Sequence, residues 1–195
     1  MNYEDKIMAL FHNGYLTTSK VVQNNIPKIY LTKLVKSNII ERVARGLYFN
    51  KKELDDEYLI IQNQSKYAIY SNMTALYFLG YSDRIPLKYD ITVPNGYKSS
   101  LQKNDKINLF YTKKEYTELG IIIIKDSYGN NIKIYDLEKS ICDIIKNKNK
   151  IDKELFNKAI RKYYYGKDKD TLKLYKYAKK MKIYDKVKNT FEVFT

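Results

Sequence analysis

The 195-residue sequence contains one cysteine, Cys142, and one histidine, His12. A single thiol excludes an internal disulfide, and one thiol with one imidazole cannot furnish a Cys-rich zinc site or a histidine metal triad. Tryptophan is absent, there are only four arginines, and no fixed-period repeat or low-complexity linker interrupts the chain. No Gly-rich phosphate loop and no Ser/His pairing is present, so no cofactor is expected. No apolar run approaches the roughly 20 residues that cross a bilayer. Met1 to Leu10 lacks a basic segment followed by an apolar stretch, and the expectation is a cytoplasmic protein.

Hydrophobic residues make up 44% of the chain, ample for packed cores, and the formal net charge is +14. Such an excess suits a polyanionic partner. The bias toward Lys, Asn, Ile and Tyr is what an AT-rich coding sequence imposes on any protein, so the placement of charge carries more than its total. Residues 1–50 carry seven basic and three acidic side chains, residues 51–140 thirteen and twelve, and residues 141–195 sixteen and seven. The two ends are basic and the middle is balanced.

Along residues 1–50, Ile7, Met8, Leu10 and Phe11 recur at helical spacing and predict a helix over residues 3–12, stopped by Gly14. Thr17 or Thr18 can cap a second helix over Ser19 to Gln23. Asn24 and Asn25 then turn the chain before Pro27, which suits the first position of a third helix ending near Lys36. Ile39 to Val43 and Leu47 to Phe49 are β-prone runs around Ala44, Arg45 and Gly46, the pattern of a hairpin. Three helices followed by a hairpin is the order of a winged helix-turn-helix. Its third helix would turn Tyr30 or Leu31, Leu34 and Val35 inward, leaving Lys28, Thr32, Lys33 and Lys36 to a major groove. Lys20 on the second helix, and Arg42 and Arg45 in the wing, are further candidate DNA contacts. Ser19 fits a helix start and a phosphate contact equally, and Tyr30 fits either the groove floor or the core.

The expected fold class is therefore α+β: a winged helix-turn-helix over residues 1–50, then an α+β domain over residues 51–195. The second domain reads as a mixed sheet over about 67–135 and a basic helical end over 136–195. Asp55, Asp56 and Glu57 read as the start of a helix running to Gln64. In the helical end, lysines interleave with tyrosines, and Lys173, Lys176 and Lys180 are candidates for a second basic surface contacting nucleic acid. An enzymatic alternative, a metal-dependent nucleic-acid-processing enzyme with a winged-helix targeting domain, would rest on Asp136, Glu138 and Asp143. Against it, Asp136 sits where a strand ends and a helix begins, an N-cap position. Glu138 falls in the first helical turn, where the helix dipole favours an anion.

Three clusters then carry a family resemblance. Arg45, Gly46, Leu47 and Tyr48 close the wing; Ser71, Ala75, Leu76 and Gly80 surround the central helix; Tyr135, Asp136, Leu137, Glu138, Cys142 and Asp143 open the helical end. In their order and spacing the chain resembles the AbiEi-type antitoxins of bacterial abortive-infection, type IV toxin-antitoxin systems. One departure is Lys139, where similar sequences would carry Arg. The resemblance implies a non-enzymatic protein of two roles. Its winged helix would repress its own operon at inverted repeats in double-stranded DNA. Its C-terminal domain would counteract a nucleotidyltransferase-like toxin without a stable complex. With no zipper or long apolar seam, the expectation is a monomer that pairs on DNA.

Overall fold

The computed structural model describes residues 2–53 and 56–194, which separate into two compact units. The first comprises residues up to Lys66 together with Lys125–Ile132; the second comprises Tyr67–Ile124 and Lys133 onward.

The first unit opens with α1 (Tyr3–Ala9), β1 (Tyr15–Thr17), α2 (Thr18–Gln23) and α3 (Ile29–Lys36), followed by β2 (Ile40–Ala44), β3 (Leu47–Asn50) and α4 (Glu57–Asn63). Asn2 and Asp5 form a capping box that starts α1. The helix ends at Ala9, earlier than its apolar spacing suggests, and Asn13 and Gly14 then turn the chain at φ +48° and +79°. A Cβ at Gly14 would lie 2.8 Å from the Glu53 Cβ, so glycine is required there by space as well as by φ. Thr17 caps α2, its hydroxyl accepting from the Lys20 amide at 3.2 Å. Pro27 precedes α3: its carbonyl accepts from the Tyr30 amide at 3.2 Å, a tight turn that leads into the helix at Ile29. Ile7, Leu16, Val21, Ile26, Leu31, Leu34 and Ile40 are buried together as the core of these elements. Fully burying a side chain of this kind contributes about 1.5–3 kcal/mol.

The hairpin does not stand alone. β1 joins it as a third antiparallel strand in the order β1-β3-β2, with Tyr15 opposite Phe49 and Thr17 opposite Leu47. Asp56 caps α4 by accepting from the Leu59 amide at 3.1 Å; Asp55, read with it as part of the helix start, lies outside the described residues. The fully buried Asp56 carboxylate also accepts from the Asn130 side-chain amide at 2.8 Å. Burial first, and then the neighbouring Asp126, push its pKa up to about 6.

The second unit is a mixed sheet with helices, as the sequence suggests. Its strands are β4 (Ile69–Tyr70), β5 (Tyr89–Pro94), β6 (Ile107–Thr112), β7 (Ile121–Lys125) and β8 (Asn131–Tyr135), in the order β6-β5-β4-β8-β7. β4 pairs antiparallel with β5 and parallel with β8, and β5 pairs parallel with β6. Between the strands lie α5 (Asn72–Phe78) and the short α6 (Lys114–Thr117). The helical end contains α7 (Leu137–Lys146), α8 (Lys153–Tyr165), α9 (Thr171–Lys180) and α10 (Tyr184–Glu192). α7 is central: Ile141, Cys142 and Ile144 are fully buried among Leu76, Phe156, Ile160, Leu174, Val187 and Phe191 of neighbouring helices. The Cys142 Sγ lies 3.8 Å from the Leu174 carbonyl, and burial followed by the Asp143 charge pushes its thiol pKa well up. No helix among the described residues is long and apolar enough to cross a membrane.

Candidate nucleic-acid interface

Nine candidate contact residues lie in the first unit, and eight of them are presented to solvent. Ser19 and Lys20 are exposed on the first turn of α2. Lys28 is exposed at the N-cap position of α3, and Thr32, Lys33 and Lys36 are exposed along the helix opposite buried Leu31 and Leu34. Arg42 is exposed on β2 opposite Tyr48, next to an irregularity in the ladder between Arg42 and Ala44. Arg45 is exposed in the two-residue turn that it forms with Gly46. Gly46 adopts φ +77°, the left-handed conformation that lets a two-residue turn close. Its carbonyl accepts from the Thr18 amide at 2.8 Å, which ties the hairpin turn to the start of α2.

Tyr30 resolves toward the core. Its ring is half-buried, 4.8 Å from the ring of Tyr3, with the Lys33 ammonium 4.9 Å from its centroid. That contact joins α1 to α3 and holds the Lys33 stem against an aromatic face. One residue was passed over in sequence. Ile29, at the first turn of α3, is 57% exposed. It falls three, four and seven positions before Thr32, Lys33 and Lys36, so its helical spacing places it on the outward stripe. It is an exposed aliphatic side chain among exposed cations.

The three lysines of the helical end differ from one another. Lys176 and Lys180 are exposed on α9. Lys173 is instead drawn into the fold, its ammonium 3.0 Å from Asp136 and 3.1 Å from Glu138. Burial opposes its charge, but the hydrogen bonds to those two carboxylates outweigh it and hold its pKa above the ordinary lysine value.

The same contacts account for the acidic cluster. Asp136 caps α7, accepting from the Lys139 amide at 2.9 Å, and its second oxygen also accepts from the Tyr177 hydroxyl at 3.0 Å. Glu138 accepts from the amide of Asp170, the N-cap of α9, at 3.0 Å. Asp143 is paired with the fully buried Lys139, whose ammonium lies 2.7 and 2.6 Å from its two oxygens and 3.9 Å from the Tyr135 ring centroid. A lysine at this position thus still engages both carboxylate oxygens. Each carboxylate is committed to the packing of α7 and α9. Among the described residues no group of three His, Cys, Asp or Glu side chains is placed to hold a metal ion.

A basic face on a small helical unit, with a hairpin docked beside it, is an arrangement that regulators of transcription use. Residues 5–50 match the AbiEi antitoxin family of transcriptional regulators. The AbiEi match runs from within α1 to the end of β3 and so takes in all nine candidate contacts. The AbiEi antitoxins are regulators rather than enzymes. No curated protein matches the chain. Among solved structures, the fold is similar to that of the Rv2827c protein from Mycobacterium tuberculosis, with a TM-score of 0.58 at 11% identity. That similarity covers 88% of this chain and 71% of the other.

Proposed function

We propose that this protein is the antitoxin of a type IV, abortive-infection toxin-antitoxin system and represses its own operon through an N-terminal winged helix-turn-helix. In this reading residues 1–50 are the DNA-binding domain, with α3 as the recognition helix and the β2–β3 hairpin as the wing. Residues 51–195 form the antitoxin domain, which counteracts a nucleotidyltransferase-like toxin in the cytoplasm without a stable complex. The protein is a monomer that pairs on inverted repeats.

The observation that carries the DNA reading is the exposed stripe of Lys28, Thr32, Lys33 and Lys36 on α3, beside a hairpin whose turn is hydrogen-bonded to α2 at 2.8 Å. Buried Leu31 and Leu34 leave that stripe with no part in the core. The match of residues 5–50 to a family of antitoxin regulators supports the same assignment.

The deciding experiment is a gel shift with the DNA upstream of the operon at about 0.15 M salt, a concentration at which non-specific phosphate attraction is weakened. A specific shift that is lost when Lys33, Arg42 and Arg45 are replaced by alanine supports the assignment. The absence of any shift refutes it. Co-expression of the full chain with the adjacent toxin gene tests the second role: growth must still be rescued by the variant in which Lys33, Arg42 and Arg45 are replaced by alanine, and the loss of rescue with those three substitutions refutes a separate antitoxin role for residues 51–195.

A further inference from the structure

The four arginines of the chain fall in two places. Arg42 and Arg45 belong to the hairpin. Arg84 and Arg161 line a depression of about 590 Å³ in the second unit, between the 81–84 loop and the outer face of α8. A second depression, of about 420 Å³, adjoins it and shares Ser82, Arg84 and Leu155 with it. Both volumes lie in the range of small-molecule sites, roughly 300–1,000 Å³.

The two halves have different chemistry. In the first, the lysines are already paired: Lys158 with Glu154 at 2.6 Å and Lys162 with Asp83 at 3.8 Å. Among the described residues Arg84 and Arg161 have no acidic partner within ion-pair distance, and unpaired guanidinium groups are suited to bidentate contact with phosphate. The second half is apolar at its lip, where Ile85 and Leu87 are 65% and 86% exposed without a packing reason. At its floor the buried Asp90 carboxylate accepts from the Asn108 side-chain amide and the Met73 backbone amide, both at 3.0 Å. Burial raises the Asp90 pKa to about 6, so the group is charged at neutral pH and keeps lone pairs to accept further N–H donors.

We propose that this trough is a nucleotide-binding site, with phosphates held by Arg84 and Arg161, the base against Ile85 and Leu87, and the base's hydrogen-bonding edge toward Asp90 and Asn108. A polyanionic head joined to a flat, weakly polar ring system is the ligand class that uses both halves at once. A bare phosphate uses only the first, and an apolar peptide only the second.

Isothermal titration of the full chain with each of the four ribonucleoside triphosphates, and with pyrophosphate, tests the proposal. At least one triphosphate binds more tightly than pyrophosphate. Arg84→Ala and Arg161→Ala each weaken it roughly tenfold, the usual effect of losing a charge-assisted contact. Leu87→Ser, at an exposed position that cannot unfold the unit, weakens the nucleotide but not pyrophosphate. Lys103→Ala, on an exposed turn outside the trough, changes neither. The Arg42→Ala/Arg45→Ala double variant binds the nucleotide as the parent does, which separates this site from the DNA assignment. Absence of nucleotide binding, equal affinity for pyrophosphate, or indifference to both arginine substitutions overturns the proposal. Tighter capture of a single-stranded oligonucleotide through the same arginines overturns it as well, in favour of a nucleic-acid channel.

Discussion

The Thr18 amide donates to the Gly46 carbonyl oxygen at 2.8 Å, so the turn that carries Arg45 is anchored to the first residue of α2 rather than left to swing. The hydrogen bond depends on a backbone conformation at φ +77° that side chains with a Cβ resist.

Replacing Gly46 by valine therefore costs about 1–3 kcal/mol, the usual strain of a β-branched residue held at positive φ. Asparagine, which tolerates that region, costs less. Urea unfolding measures both. DNA affinity falls with the valine variant beyond what its stability loss explains, because the turn no longer presents Arg45 at a fixed place.

Cations and the exposed isoleucine separate in a salt titration. Lys33→Ala, Arg42→Ala and Arg45→Ala each reduce the slope of log affinity against log salt by about 1, the signature of one lost phosphate contact. Ile29→Ala leaves that slope alone. It removes three carbons, worth about 1–2 kcal/mol if they are covered by thymine methyl groups. Replacing thymine by uracil in the operator should lower the affinity of the parent and leave the Ile29→Ala variant unchanged.

The lysines of the helical end rank by their partners. Lys139→Met strands Asp143 in the core and costs about 3–5 kcal/mol, the penalty of an uncompensated buried charge. Lys173→Met leaves Asp136 and Glu138 without their shared cation at a partly exposed site, for about 1–3 kcal/mol. Lys176→Glu and Lys180→Glu, both exposed, shift stability by less than about 0.5 kcal/mol. Thermal unfolding of the four variants in one buffer gives this order, and equal effects at Lys173 and Lys176 would contradict the ion-pair role.

Acidification reports on the buried aspartates. Asp90 has its pKa raised from 3.8 to about 6, so between those values the folded state binds more protons than the unfolded chain. Its contribution therefore improves as pH falls from 7 toward 4, by roughly 2 kcal/mol in all. Asp56 acts in the same direction in the first unit. Asp90→Asn removes one of these dependences: the variant is at least as stable as the parent at pH 7, and its stability varies less between pH 6 and pH 4. A variant whose pH profile superimposes on the parent's contradicts the assignment.

Much of the first unit was legible because its signals are local. A cap at Thr17 or Thr18, Leu31 and Leu34 in an inward stripe and a hairpin turning at Gly46 each follow from spacing within a few residues, although the turn is two residues long rather than the three from Ala44 to Gly46. β1 was not legible, since three residues are too few to show an alternating pattern and only pairing with β3 makes Tyr15–Thr17 a strand. Ile29 was passed over because an apolar residue is assigned inward by default, although its position on the helix points outward. In the helical end Asp136 could be read as a cap from its place between strand and helix. The pairing of Lys173 with Asp136 and Glu138 could not, because it joins α9 to the start of α7 across the whole of α8. The trough around Arg84 and Arg161 is likewise assembled from segments far apart in the chain.

Cys142 gives the molecule a built-in clock. It is the sequence's one thiol, fully buried, and shifted away from its reactive thiolate form. An alkylating reagent added to native protein reacts only with molecules in which the packing of α7 against α9 has opened. With reagent in enough excess that alkylation outpaces reclosing, the rate at which a single mass adduct accumulates is the rate at which this packing opens, read without dye, tag or substitution.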